Sequence, residues 1–158
     1  MLSALQKTFP HLNFKDGGNF VWSPGLKTVF YDPKRLNSNT GKLSLLHELG
    51  HAILEHTDYN YDIELIEMEV EAWEKARAFA RKYKVKIDEE HIDFCIESYR
   101  FWIYKRSLCP ECQYTGVQQE LTHYYCFACQ QDWRISPACS VRPYRIICDM
   151  DQLKTVSK

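Results

Sequence analysis

From Leu43 to Glu55 the chain is apolar nearly all round a helical wheel: Leu43, Leu45, Leu46, Leu49, Ala52, Ile53 and Leu54 leave no broad polar face. A helix with that pattern is a buried one. A second run starts at Tyr61 or Asp62 and ends near Tyr83, with Leu65, Met68, Ala72, Trp73, Ala76, Phe79 and Ala80 recurring at the spacing of an amphipathic helix. A third, Glu89 to Lys105, gathers Ile92, Cys95 or Ile96, Tyr99, Trp102 and Ile103 on one face. Asn39 or Thr40 is the expected N-cap of the first helix and Asp88 that of the third. Upstream, Phe20-Val21-Trp22 and Lys27 to Tyr31 read as short strands around Ser23-Pro24-Gly25, after the turn Asp16 to Asn19. Met1 to Phe14 is weakly patterned. The expected fold class is α+β: a three-helix core with a small N-terminal β-sheet or hairpin.

The polar residues inside the apolar helix carry the chemistry. They are His47, Glu48 and His51, an H-E-x-x-H motif. Residues four apart share a helix face one turn apart, so both imidazoles can meet one ion. Glu48 sits at the edge of that face, where it can act as general base on water without ligating the metal. Two buried histidines and a carboxylate need partners, and zinc would supply them. Gly50 costs a helix about 1 kcal/mol relative to alanine, which points to a second backbone passing close by.

Catalytic zinc usually takes three protein ligands. The segment between Lys42 and Lys75 contains no Lys or Arg, and it offers His56, Asp58, Asp62, Glu64, Glu67, Glu69 and Glu71. Glu71 is the expected third ligand, because Ala72 beside it would let two helices approach. Glu67, one turn earlier on the same face, competes, and Glu69 is expected to point elsewhere. His56, Tyr59, Tyr61 and His91 are candidates to stabilise an oxyanion. Thr28 to Tyr31 is a candidate open edge for an extended substrate.

The run His47 to His56, followed by Glu69-Val70-Glu71-Ala72-Trp73, resembles the ImmA/IrrE-type metallopeptidases over about a third of the chain, Lys27 to Ala80. That resemblance implies His47, His51 and Glu71 as zinc ligands and Glu48 as the base. It also implies a protein substrate, for the family often a DNA-binding repressor. Lys75-Ala76 stands where the family more usually has Phe-Ala.

Seven cysteines, an odd number, argue against a complete disulfide framework. Cys109, Cys112, Cys126 and Cys129 form C-x2-C-x13-C-x2-C, close to the spacing of a structural zinc site. The strands Leu121 to Tyr125 and Trp133 to Ile135, with a turn at Gly116, complete a zinc ribbon. A competing ligand set would use Cys139 or Cys148, and Cys95 has no assigned role. The expected domains are 1–106, a zincin-like unit; 107–140, the ribbon; and 141–158, a tail. Two zinc ions are implied, one catalytic and one structural.

The net charge of −1 gives no global field for nucleic acid or membrane. The longest apolar runs fall short of the ~20 residues that span a bilayer, and the N-terminus lacks the apolar core of a signal peptide. The expected setting is the cytoplasm, and the expected function is zinc-dependent hydrolysis of peptide bonds in a protein. Two alternatives stand beside it. In one, the ribbon binds nucleic acid or protein and the H-E-x-x-H site is inactive. In the other, the chain is a DNA-targeted protease similar to SprT-like proteins, although those take a histidine as third ligand. Arg134, Arg142, Tyr144 and Arg145 with Trp133 are the candidate basic–aromatic patch.

Overall fold

The computed structural model describes residues 1–136 and 145–147. Cys139, Cys148, Arg142 and Tyr144, and the expected tail apart from Arg145, Ile146 and Ile147, lie outside them. The fold is α+β. It divides into two compact units, Met1–Asp58 with Glu67–Cys95, and Tyr59–Ile66 with the chain from Ile96 onward. One division therefore falls after Asp58 and the other two inside helices, rather than after residue 106.

In the first unit, helix α1 (Leu2–Thr8) precedes strands β1 (Asn13–Asp16), β2 (Val21–Ser23) and β3 (Thr28–Tyr31). The sheet order is β1-β3-β2, with β1 parallel and β2 antiparallel to β3. The expected hairpin is present with a third strand added. β3 is therefore central and has no open edge, so the substrate edge expected there is not available. Helix α2 (Asn39–Ile53) begins at Ser38, whose hydroxyl accepts from Gly41 N at 3.0 Å. The cap is thus one residue before the expected Asn39 or Thr40. Helix α3 (Asp62–Tyr83) contributes its part from Glu67, and helix α4 (Glu89–Ser107) its first turns. Asp88 caps α4 as expected, accepting from His91 N at 3.1 Å. Leu5, Val29, Leu43, Leu45, Leu46, Leu49, Ala72, Ala76, Ala80 and Ile92 are fully buried and form the apolar interior.

The second unit holds the four-stranded sheet β4 (Val117–Glu120), β5 (His123–Tyr125), β6 (Asp132–Ile135) and β7 (Arg145–Ile147), antiparallel throughout and in chain order. Its small core is Cys109, Tyr124, Cys126, Trp133 and Ile135. The Trp133 ring lies where a side chain at Gly116 would stand, which is why the turn requires glycine. Arg106 is fully buried. Its guanidinium stacks over Trp102 at 4.0 Å, reaches the Leu121 and Ser136 carbonyls at 3.3 and 3.2 Å, and lies 3.3 Å from Asp62. Asp62 also accepts from the Tyr124 hydroxyl. Burial raises the Asp62 pKa above its ordinary value, and Tyr124 and Arg106 oppose that only in part. Among the described residues, no helix is long and apolar enough to cross a membrane.

Candidate metal centres

His47 and His51 sit one turn apart on α2, both buried, with their Nε2 atoms 3.1 Å from one another. The carboxylate that meets them is Glu69. Its oxygens lie 3.1 Å from His47 Nε2 and 3.6 Å from His51 Nε2. This corrects the expected third ligand, and the reason is helical phase. Asp62, Leu65, Glu69, Ala72, Trp73, Ala76 and Ala80 are the buried stripe of α3, while Glu67 and Glu71 fall on its exposed side. Glu71 instead places its carboxylate 3.2 Å from His56 Nε2.

Gly50 explains how the helices come close enough. A Cβ built on it would lie 2.5 Å from the Ala72 carbonyl oxygen, so the α3 backbone packs directly on α2 at this point. His47 is further fixed by stacking on Trp73, ring centroids 4.2 Å apart. His91 meets the other side of the problem, packing edge-on to Trp73 and leaving its Nε2 3.8 Å from the half-buried Cys95 thiol. Tyr59 and Tyr61, the remaining oxyanion candidates, belong to the second unit.

The donor set fits a cation. Two imidazole nitrogens and two carboxylate oxygens converge with no cationic Lys or Arg among them. Burial pushes the Glu69 carboxyl up, but His47 and His51 outweigh it and hold the group at about 2. Glu69 is therefore an anion at neutral pH. A metal ion held by His47, His51 and Glu69 would meet all of these facing atoms at once.

Glu48 is half-buried and does not join this cluster. Its Oε2 accepts from the backbone N of Trp22 at 2.7 Å, so β2 anchors one oxygen of the carboxylate. The Trp22 indole also donates to the His56 carbonyl at 3.0 Å. Near the end of α2 a cavity of about 240 Å³ is lined by His11, Leu12, Trp22, Lys27, Ile53 and Glu55, among others.

The second centre brings together all four expected cysteines, Cys109, Cys112, Cys126 and Cys129, with ligand atoms within 4.8 Å of one another. Cys109 and Cys129 sulfurs are 3.5 Å apart, as are those of Cys112 and Cys126. A tetrahedron of Zn–S bonds of about 2.3 Å implies S–S separations of about 3.8 Å, close to those of these two pairs. Each pair lies on the same local turn. Gln113 N donates to Cys109 O and Gln130 N to Cys126 O, and both glutamines have left-handed backbones, φ 61 and 64. Backbone N–H groups at Cys129 and Ala128, aided by neighbouring sulfurs, bring the Cys126 thiol down to about 7. Of the basic–aromatic patch, Trp133 is fully buried and so cannot contribute, while Arg134 and Arg145 are exposed.

The chain matches no family model, no curated protein and no solved structure in the comparisons made with known proteins.

Proposed function

We propose that the protein is a zinc-dependent metalloendopeptidase of the cytoplasm that cleaves a protein substrate, with His47, His51 and Glu69 holding the metal and Glu48 moving the proton. The observation that carries this reading is the convergence of those three side chains on one point, with Glu48 next to His47 in the chain and separately anchored by Trp22 N. Zinc bound there would act as a Lewis acid and lower the pKa of a bound water toward ~7. Glu48 would take up a proton from that water and return it to the leaving amine. The hydrogen bond from Trp22 leaves the second oxygen of Glu48 to do this while fixing the carboxylate's position. The cysteine centre supplies four thiolates and no open position, so its role is structural.

The resemblance to ImmA/IrrE-type peptidases supports a repressor as substrate, with Glu69 in place of the expected Glu71. The test is cleavage of a panel of helix-turn-helix proteins by zinc-loaded wild type and by Glu48→Gln. Wild type is expected to cleave at least one, and Glu48→Gln to bind both zinc ions yet lose at least ~100-fold in rate, the scale of a general base. Equal cleavage by both proteins would remove Glu48 from the mechanism.

One observation favours a second reading, in which the ribbon binds nucleic acid. Tyr114 and Phe127, beside the two cysteine turns, are 68% and 71% exposed, and Tyr125 packs edge-on against Phe127. Exposed aromatics of this kind stack with unpaired bases. Salt-dependent binding of single-stranded DNA, weakened in Phe127→Ala, would support it.

A further inference from the structure

The end of α2 carries a device that the proposed chemistry does not yet use. Glu55 has a left-handed backbone, φ 55, where glycine is the usual residue. It closes a Schellman turn: His56 N donates to His51 O at 3.0 Å and Glu55 N to Ala52 O at 3.4 Å. In that turn the residue after the left-handed one folds back onto the residue five before it, normally through an apolar contact. Here the two residues are His56 and His51, and they meet through their rings, Nδ1 to Nδ1, at 2.8 Å. His56 Nε2 then reaches Glu71 at 3.2 Å.

The protons along this chain follow from elementary rules. An ionised carboxylate only accepts, so His56 Nε2 carries the proton in its bond to Glu71. A neutral imidazole has one N–H, so His56 Nδ1 is the acceptor. His51 Nδ1 must then donate, which leaves the lone pair of His51 on Nε2. That atom is the one facing His47 Nε2 and Glu69, at 3.1 and 3.6 Å.

We infer that His56 and Glu71 are positioning residues that fix His51 in the tautomer able to ligate a metal through Nε2. The inference rests on the proposed ligand set of His47, His51 and Glu69. Partners that orient a metal-binding histidine typically change metal affinity 10–100-fold. What Glu71 supplies is an acceptor oxygen, not a ligand atom and not merely charge. Gln at position 71 keeps such an oxygen, and Leu does not.

The test uses the full chain with zinc in the cysteine centre only, at about pH 8, above the ordinary histidine range. Long-range proton–nitrogen NMR correlations report which ring nitrogen of His51 is protonated, and chelator competition then gives zinc affinity at the histidine centre. Wild type and Glu71→Gln are expected to hold the proton on Nδ1 and to differ less than about threefold in affinity. Glu71→Leu and His56→Phe are expected to show mixed tautomers and at least ~10-fold weaker zinc. A proton on His51 Nε2 in the wild type would overturn the inference. So would unchanged affinity in both Glu71→Leu and His56→Phe, or an equal loss in Glu71→Gln, which would make charge the cause. A wild type that takes up no second zinc would sink the proposed function instead, while the NMR measurement would still decide the tautomer.

Discussion

The two centres assemble ligands by opposite routes. The cysteine centre is built twice from one local recipe: two cysteines three positions apart, then a glutamine with a left-handed backbone that closes the turn onto the first cysteine. Among the described residues the hydrophobic cluster around it is small, Tyr124, Trp133 and Ile135 with Cys109 and Cys126, so its sulfurs stand in for much of a core. The histidine centre is laid on top of a core that exists without it, made by α2 and α3 with Leu43, Leu46, Leu49 and Ala76 fully buried. It takes two ligands from one helix and one from the next. Four thiolates close a coordination sphere, whereas two imidazoles and a carboxylate leave a place for a reactant. One centre should need its metal to fold, and the other should need its fold to bind metal.

The sharpest break of that contrast is Cys109→Ser/Cys112→Ser against His47→Ala/His51→Ala. Each is expected to lose one zinc by elemental analysis. Only the cysteine variant should also lose the near-ultraviolet signal of packed Trp133, since structural zinc contributes an apparent ~10–16 kcal/mol in small cysteine–histidine modules. Loss of that signal in the histidine variant would mean that the centres are not separable. Next comes Glu69→Ala, expected to weaken zinc at the histidine centre by more than the ~100-fold that bounds outer partners, with thermal stability of the ribbon unchanged; retained affinity would return the ligand to an exposed acid.

Asp62→Ala asks whether zinc alone holds the second unit. It leaves Arg106 buried without its carboxylate, at a cost of about 3–5 kcal/mol in denaturant unfolding. The milder Asp62→Asn tests the titration. Because burial raises the folded pKa of Asp62, its contribution to stability is fully present below the unfolded value near 3.8 and is lost as pH rises through the folded pKa. Wild type should show that loss on going from pH 4 toward neutrality, and Asp62→Asn should not. Parallel pH profiles would count against it. The smallest effect is expected for Gly50→Ala. Alanine gains about 1 kcal/mol of helix propensity, but its Cβ would press on the Ala72 carbonyl, an overpacking cost of about 1–3 kcal/mol. A small net loss of stability with a larger loss of zinc at the histidine centre is expected, read by chelator competition.

What was legible in the chain followed the range of the interaction. His47, Glu48 and His51, the four cysteines and the three long helices were all set by local spacing, and the helices α3 and α4 lie within two residues of expectation. Strands β1 and β4 were not, because each buries almost nothing and so carries no apolar alternation. The carboxylate that meets the two histidines was misread although its signal was present. Glu69 continues the stripe of Leu65, Ala72 and Ala76 at steps of three and four, and a carboxylate on a buried stripe is the one that needs a partner. The resemblance to an E-x-E-A motif favoured Glu71, which contacts His56 instead. The contact of His56 with His51 was out of reach, since it depends on a left-handed Glu55 that no propensity would assign.

The grip of Glu48 on Trp22 has a consequence for the life of the protein before any substrate arrives. β2 is an edge strand, and edge strands recruit other chains through their free N–H groups. The amide of Trp22 is already occupied by the Glu48 carboxylate. The side chain proposed to serve the reaction thus also blunts the β2 edge, while β1 forms the other edge of the sheet, so its loss would free an edge donor as well as slow turnover.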